Sequence, residues 1–198
     1  MNAEIDLRAV TLFTPRLTLR PFQLSDLEDL YAYASLEGAL DMIGRPPHKD
    51  RTESLAVLQR YVDGRKNFAM VYEGSVIGSF GIEKYDETLF PELDKMRCRE
   101  LSFILSKAYW GRGLVPEAAR EVIRWLFEEQ QLDAILCGHF VKNTRSARVQ
   151  QKCGFTHYAY RKYKTRFGTV EDDDVSILTK AAWERLQFSE RLQSEKNA

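Results

Sequence analysis

The sequence predicts a mixed α/β fold, one domain with a central mixed β-sheet flanked by helices. Three observations lead there. Short β-rich runs dominate the first half, with apolar and polar residues alternating in the manner of half-buried strands. The second half adds two amphipathic helical stretches around a short apolar run, giving a βαβα order that ends in a hairpin. With 198 residues, the chain can bury a core without disulfides or a structural metal.

Taken in order, Arg16 to Phe22 alternates Leu17 and Leu19 with Thr18 and Arg20, a strand signal. Ser25, with Glu28 three residues on, predicts a capping box that opens a helix with Leu27, Leu30, Tyr31 and Ala34 on its apolar stripe. The Pro-rich stretch Arg45 to His48 reads as a loop. A second helix is expected over about Thr52 to Val62, where Leu55, Leu58, Tyr61 and Val62 recur at helical spacing. Phe68 to Tyr72 and Val76 to Lys84 are β-rich and separated by Glu73-Gly74-Ser75, which predicts a hairpin. Arg99 to Leu105 is another strand. Pro116 to Gln130 is helical, with proline and glutamate suited to its first turn and Ala119, Val122, Ile123, Leu126 and Phe127 facing inward. Ala134 to Val141 reads as a buried strand and Asn143 to Lys152 as a helix stopped by Gly154. Phe155 to Phe167 and Val175 to Leu178 are expected to pair across Gly168-Thr169, and the tail over 184–198 extends a terminal helix through Leu186, Phe188 and Leu192.

Composition removes several function classes. Lys plus Arg number 29 against 29 Asp plus Glu, so no net field draws the chain to nucleic acid or an anionic membrane. Neither class is expected as a partner. Cys98, Cys137 and Cys153 are odd in number and widely spaced, unlike a disulfide framework or a zinc ribbon. His48, His139 and His157 have no carboxylate at ligand spacing, so no metal site is expected. The opening MNAEIDLRAVTLF is too polar for a signal peptide, and no run approaches the roughly 18 apolar residues of a membrane span. The expectation is a soluble protein of the cytoplasm.

Chemistry concentrates in two segments. Tyr109-Trp110-Gly111-Arg112-Gly113-Leu114-Val115-Pro116-Glu117 places a glycine turn between a strand and a helix. Free N–H groups at a helix start, with the positive end of the dipole, favour phosphate oxygens, and glycines allow close approach. Arg112 would add a charge. The Walker pattern fails because Leu114-Val115 stands where Lys-Ser/Thr is needed, and the dinucleotide fingerprint lacks its third glycine, replaced by Pro116. By itself the turn is equally a plain tight turn before a helix. The second segment, Asn143-Thr-Arg-Ser146-Ala-Arg-Val149-Gln-Gln-Lys152-Cys-Gly154-Phe155, follows the buried strand.

Together the two segments resemble the GNAT acetyltransferase superfamily. Thr14-Pro15-Arg16-Leu17-Thr18-Leu19-Arg20, Ile77-Gly78 and Tyr109-Trp110-Gly111 are similar to its RimJ/RimL-type N-acetyltransferase group. The resemblance covers about residues 14–183 of a domain taken as residues 1–198. It implies a splayed central sheet and acetyl-CoA as cosubstrate. It also implies a primary amine as acceptor, either a protein N-terminus or a small molecule, attacked directly in a ternary complex. Gly111, Arg112, Gly113, Leu114 and Val115 would hold the coenzyme pyrophosphate. The backbone of Phe103, Ile104 and Leu105 would polarise the acetyl carbonyl, and Asn143 and Ser146 would lie along the pantetheine arm. Glu100 is the candidate general base and Ser146 the candidate proton donor to the leaving thiolate, since Gln150 stands where many relatives carry a tyrosine.

Plainer readings stand beside these. Glu100 is equally a solvated strand residue, Ser146 could simply face water on its helix, and Cys153 reads as a packing residue. Val115 and Gln150 depart from the family pattern and favour an alternative, a non-catalytic acyl-CoA-binding sensor or scaffold. Arg161-Lys162-Tyr163-Lys164-Thr165-Arg166 interleaves bases and aromatics as RNA-binding patches do, but Glu171-Asp172-Asp173-Asp174 offsets its charge. The acceptor pocket is expected from Gly38 to Asp50 and Asp86 to Arg97. Leu89-Phe90-Pro91 and Leu93 in the second segment suggest a lid or a homodimer contact.

Overall fold

Alternating and fully apolar runs resolve into eight strands and five α-helices in the computed structural model, which describes residues 1–196. The order is β1 (Leu12–Phe13), β2 (Thr18–Pro21), α1 (Leu27–Ala34), α2 (Arg51–Gly64), β3 (Asn67–Tyr72), β4 (Ser75–Glu83) and β5 (Cys98–Leu105). There follow α3 (Leu114–Glu128), β6 (Ala134–Phe140), α4 (Thr144–Lys152), β7 (Thr156–Lys164), β8 (Val170–Thr179) and α5 (Lys180–Lys196). The strands form one mixed sheet in the order β1-β2-β3-β4-β5-β6-β8-β7. Every neighbouring pair is antiparallel except β5 and β6, which run parallel because α3 carries the chain back across the sheet.

Helix α3 explains one core. Leu114, Ala118, Val122, Ile123, Trp125, Leu126 and Phe127 are buried, and they pack on Phe68, Phe80, Leu101, Ile135 and Cys137 from the sheet. The opposite face is covered by α1 and α2, whose Leu30, Tyr33, Val57 and Leu58 meet Ala69 and Val76. Both faces of β3 and β4 are thereby buried, which is why these strands read as continuous apolar runs.

Two helix starts differ from the sequence expectation. Ser25 does not cap α1, because residues 24–26 form a 3-10 turn first and the Asp26 carboxylate accepts from Gln23 N–H at 2.8 Å. Glu28 reaches across to Arg51 of α2 instead, at 2.9 Å. Helix α3 begins two residues before Pro116, capped by Gly113 in the left-handed conformation.

The sheet splits at its centre. β5 and β6 pair from Cys98↔Ala134 to Leu101↔Cys137 and no further. Beyond that point β5 stays with β4 as far as Leu105, and β6 stays with β8 as far as Phe140. Backbone groups of Ser102 to Leu105 that point away from β4 therefore have no strand partner.

Candidate functional site

The split opens a cavity of about 360 Å³ that reaches both faces of the sheet. Phe103, Ile104 and Leu105 line it along the diverging strand, and Gly111, Gly113, Leu114, Val115 and Pro116 form the wall at the start of α3. Asn143, Ser146 and Val149 face it from α4. At the far end stand Ala39, Met42 and Ile43, on the side covered by α1 and α2. The structure thus gathers every sequence-predicted site residue except Glu100 and Arg112 on one wall system.

Gly111 and Gly113 hold φ near 77° and 75°, values that favour glycine because a Cβ would crowd the backbone. Between them, Arg112 turns its guanidinium outward over the Tyr109 ring at 5.0 Å and does not line the cavity. The cations that do line it are Arg145, Arg148 and Lys152, spaced three and four residues apart on one side of α4. Arg145 lies 4.5 Å over the Trp110 ring, and the Trp110 indole N–H donates to Leu105 O at 2.8 Å. Trp110 thereby ties the end of β5 to the mouth of the cavity. These four residues were missed as site residues, although the spacing of the three cations is visible in the sequence.

Asn143 caps α4, its Oδ1 accepting from Ser146 N–H at 3.2 Å. Ser146 is buried, and its hydroxyl oxygen accepts from Gln150 Nε2 at 3.4 Å. That bond uses a lone pair and leaves the hydroxyl proton free to donate. Gln150, one turn further on, is itself buried and so supports Ser146 from behind.

Glu100 sits on β5 where β6 still pairs, facing away from the Leu101 side of the sheet, and outside the cavity wall. Arg161 takes both its carboxylate oxygens, at 2.5 and 3.0 Å, and donates from Nε to Asp173 at 2.7 Å. Gly138 makes room for this cluster, since a Cβ there would fall 2.7 Å from both Arg161 and Asp173. Burial pushes the Asp173 carboxyl up, against the pull of Arg161. Across the same hairpin Lys162 pairs with Asp172 at 2.5 Å, while Glu171 pairs with Lys142, just beyond β6, at 2.7 Å. Two of the four basic residues that suggested an RNA-binding patch, Arg161 and Lys162, are thus matched by acids in register.

Other candidates also find plain partners. Cys153 packs in the α3 core, where burial pushes its thiol up to about 11, so it is protonated at neutral pH. His48 bonds Ser54 and His157 bonds Asp174. In the 86–97 segment Phe90 and Leu93 are buried against their own chain, with Tyr158 bonded to Glu92, leaving Leu89 as the exposed apolar side chain of that group. This segment does not line the cavity. Among the described residues, no helix is long and apolar enough to cross a membrane.

The family model for the acetyltransferase (GNAT) domain matches residues 16–156. The FsC-acetyl coenzyme A-N(2)-transacetylase of Aspergillus fumigatus is 30% identical over 118 residues, 58% of this chain and 50% of that protein, so the match spans half the relative's length. The uncharacterized N-acetyltransferase p20 of Bacillus licheniformis is 27% identical over 152 residues, 73% of this chain and 82% of that protein. An acetyltransferase (GNAT family) crystal structure from Bacillus anthracis superposes with a TM-score of 0.75 at 22% identity, covering 87% of this chain and 99% of its own. A sheet split between β5 and β6, a glycine turn at one mouth of the split, and a family match running from Arg16 through that turn to Thr156 lead to one conclusion: the chain belongs to the acetyltransferase (GNAT) family.

Proposed function

We propose that the protein moves the acetyl group of acetyl-CoA to a primary amine, by direct attack within a ternary complex. The observation that carries this reading is the cavity through the split sheet, with phosphate-binding chemistry at one mouth and an open apolar mouth opposite. The residues suit the cosubstrate: left-handed glycines and a helix start offer backbone N–H groups to phosphate oxygens, and Arg145, Arg148 and Lys152 add charge. Bound acetyl-CoA would supply a thioester whose acetyl–sulfur bond breaks as the acetyl–nitrogen bond forms.

The chain's own residues then divide the work. Unpaired backbone N–H groups of Phe103 to Leu105 would hold the carbonyl oxygen, a role that typically contributes several kcal/mol where water is excluded. Ser146 would give its proton to the departing sulfur while Gln150 holds its oxygen. Glu100 would receive the amine proton through water, because Arg161 occupies both its oxygens and it lies outside the cavity wall. We assign the chain to the RimJ/RimL-type group on its opening strand and on Tyr109-Trp110-Gly111, and place its activity in the cytoplasm. The acceptor would be a protein N-terminus or a small amine. Ala39, Met42 and Ile43 favour an amine carried beside an apolar group over a polyamine, since no carboxylate lines the cavity among the described residues.

The test is acetyl transfer from acetyl-CoA by the full chain to a panel of N-terminal peptides, monoamines and polyamines, read by mass spectrometry. Transfer to peptides or monoamines with an apolar neighbour supports the reading. Acetyl-CoA binding without transfer to any acceptor would favour a non-catalytic acyl-CoA-binding protein instead.

A further inference from the structure

Arg16 lies outside the cavity, yet it grips the glycine turn from behind. Its Nη1 donates to Arg112 O at 2.9 Å, and its Nη2 is the nearest atom to Gly113's vacant Cβ position, at 3.7 Å. The rest of the fork is fixed by Glu117, one turn into α3. Glu117 Oε2 receives Arg16 Nε at 2.7 Å and Nη2 at 2.6 Å, and Oε1 receives Thr14 Oγ1 at 2.6 Å and Arg16 N–H at 2.9 Å. Glu117 N–H in turn bonds Gly113 O at 3.2 Å, closing a ring of contacts around the turn.

Peptide geometry turns this grip into an aim. Arg112 C=O and Gly113 N–H belong to one trans planar unit, so they point in opposite directions. Holding the carbonyl toward Arg16 directs the Gly113 N–H away from it, and Gly113 lines the cavity. This peptide turns about ψ of Arg112 and φ of Gly113, and Gly113, at positive φ and without a Cβ, leaves it freer to flip in the absence of an external tie. Burial raises the Glu117 carboxyl, but hydrogen bonds from Thr14 and Arg16 outweigh it and hold its pKa below the ordinary value, so the fork stays charged near neutrality.

We propose that Arg16, seated by Glu117 and Thr14, is a positioning residue that sets the Gly113 amide toward the coenzyme phosphates. The inference rests on the reading that this turn binds acetyl-CoA. It predicts that Arg16→Met raises the Kd and KM for acetyl-CoA about tenfold or more while kcat at saturation stays within about twofold. Arg16→Lys keeps the charge but cannot span Glu117 and Arg112 O together, so it should recover little of the loss.

The experiment is calorimetric titration of acetyl-CoA into the wild-type chain and the Arg16→Met, Arg16→Lys and Glu117→Gln variants, with thermal melts of each and steady-state kinetics. Glu117→Gln keeps size and an acceptor oxygen, so it serves where Arg16→Met fails to fold, and its affinity should fall about threefold or more. Lower melting with unchanged acetyl-CoA affinity in the folded variants would make Arg16 a purely structural residue and overturn the proposal. Full recovery by Arg16→Lys would overturn the aiming argument too, leaving charge alone as the cause. A wild-type chain that does not bind acetyl-CoA would remove the underlying reading, an outcome separate from a wild type that binds and variants that bind equally.

Discussion

At one mouth the cavity wall carries the turn of Gly111 and Gly113, pinned by Arg16, Glu117 and the Trp110 indole, with Arg145, Arg148 and Lys152 of α4 beside it. The 39–43 segment lines the cavity with the side chains of Ala39, Met42 and Ile43, and an ionic cluster, Glu100–Arg161–Asp173, stands outside the cavity. Backbone donors recognise what every acyl-coenzyme carries, so one mouth can be read from motif spacing. Side chains on irregular segments recognise what differs between acceptors, and no local pattern encodes them. The two regions should therefore respond separately to mutation.

The largest separation is expected at Arg161. Arg161→Met leaves the half-buried Glu100 and the buried Asp173 facing each other without their cation, and breaking a buried pair costs about 3–5 kcal/mol. Urea unfolding should show that loss, while acetyl-CoA affinity of the folded variant stays within about twofold. A matching drop in affinity would break the comparison. Gly113→Pro acts on the other side: proline fixes φ near −65° where this position holds 75°, and it removes the N–H donor. Acetyl-CoA affinity should fall by about a hundredfold or more.

Smaller effects sharpen the assignment of roles. Ser146→Ala should lower kcat by about tenfold to a hundredfold with acetyl-CoA affinity nearly unchanged, as expected of a proton donor. Equal losses in kcat and affinity would make it a coenzyme contact only. Glu100→Gln should lower kcat/KM by about tenfold and alter its pH profile, near the lower end of general-base effects. A change under twofold with the same profile would mean that solvent takes the amine proton. The smallest effect concerns pH and Glu117. Its folded pKa is depressed, so its stabilisation is fully present above the ordinary glutamate value and is lost as pH falls through the lowered one. Acetyl-CoA affinity should weaken over that acidic window in the wild type and less so in Glu117→Gln, measured by titration at constant ionic strength.

Much of the fold was legible in the sequence because its signals are local. The helical period over Ala119 to Phe127, the Glu73-Gly74-Ser75 turn and the helix over Asn143 to Lys152 each lie within a dozen residues. The split sheet was expected from the family resemblance, and strand register shows it directly. What escaped depends on contacts distant in sequence. Arg161 and Glu100 are 61 residues apart, and nothing near either one announces the pair. Arg16 meets a carboxylate 101 residues away. The α1 start was misjudged for the opposite reason, two competing local solutions: Ser25 with Glu28, and Asp26 with Gln23. The second prevails because Asp26 also receives Arg20 in a two-toothed pair at 2.7 and 2.8 Å.

The most direct test of the central claim, that the cavity through the split sheet is the acetyl-CoA site, is titration calorimetry of the wild-type chain and Gly113→Pro with acetyl-CoA. Saturable binding of one molecule per wild-type chain, lost in a folded Gly113→Pro variant, is the predicted result. No binding to the wild type, or equal binding to both, would contradict it.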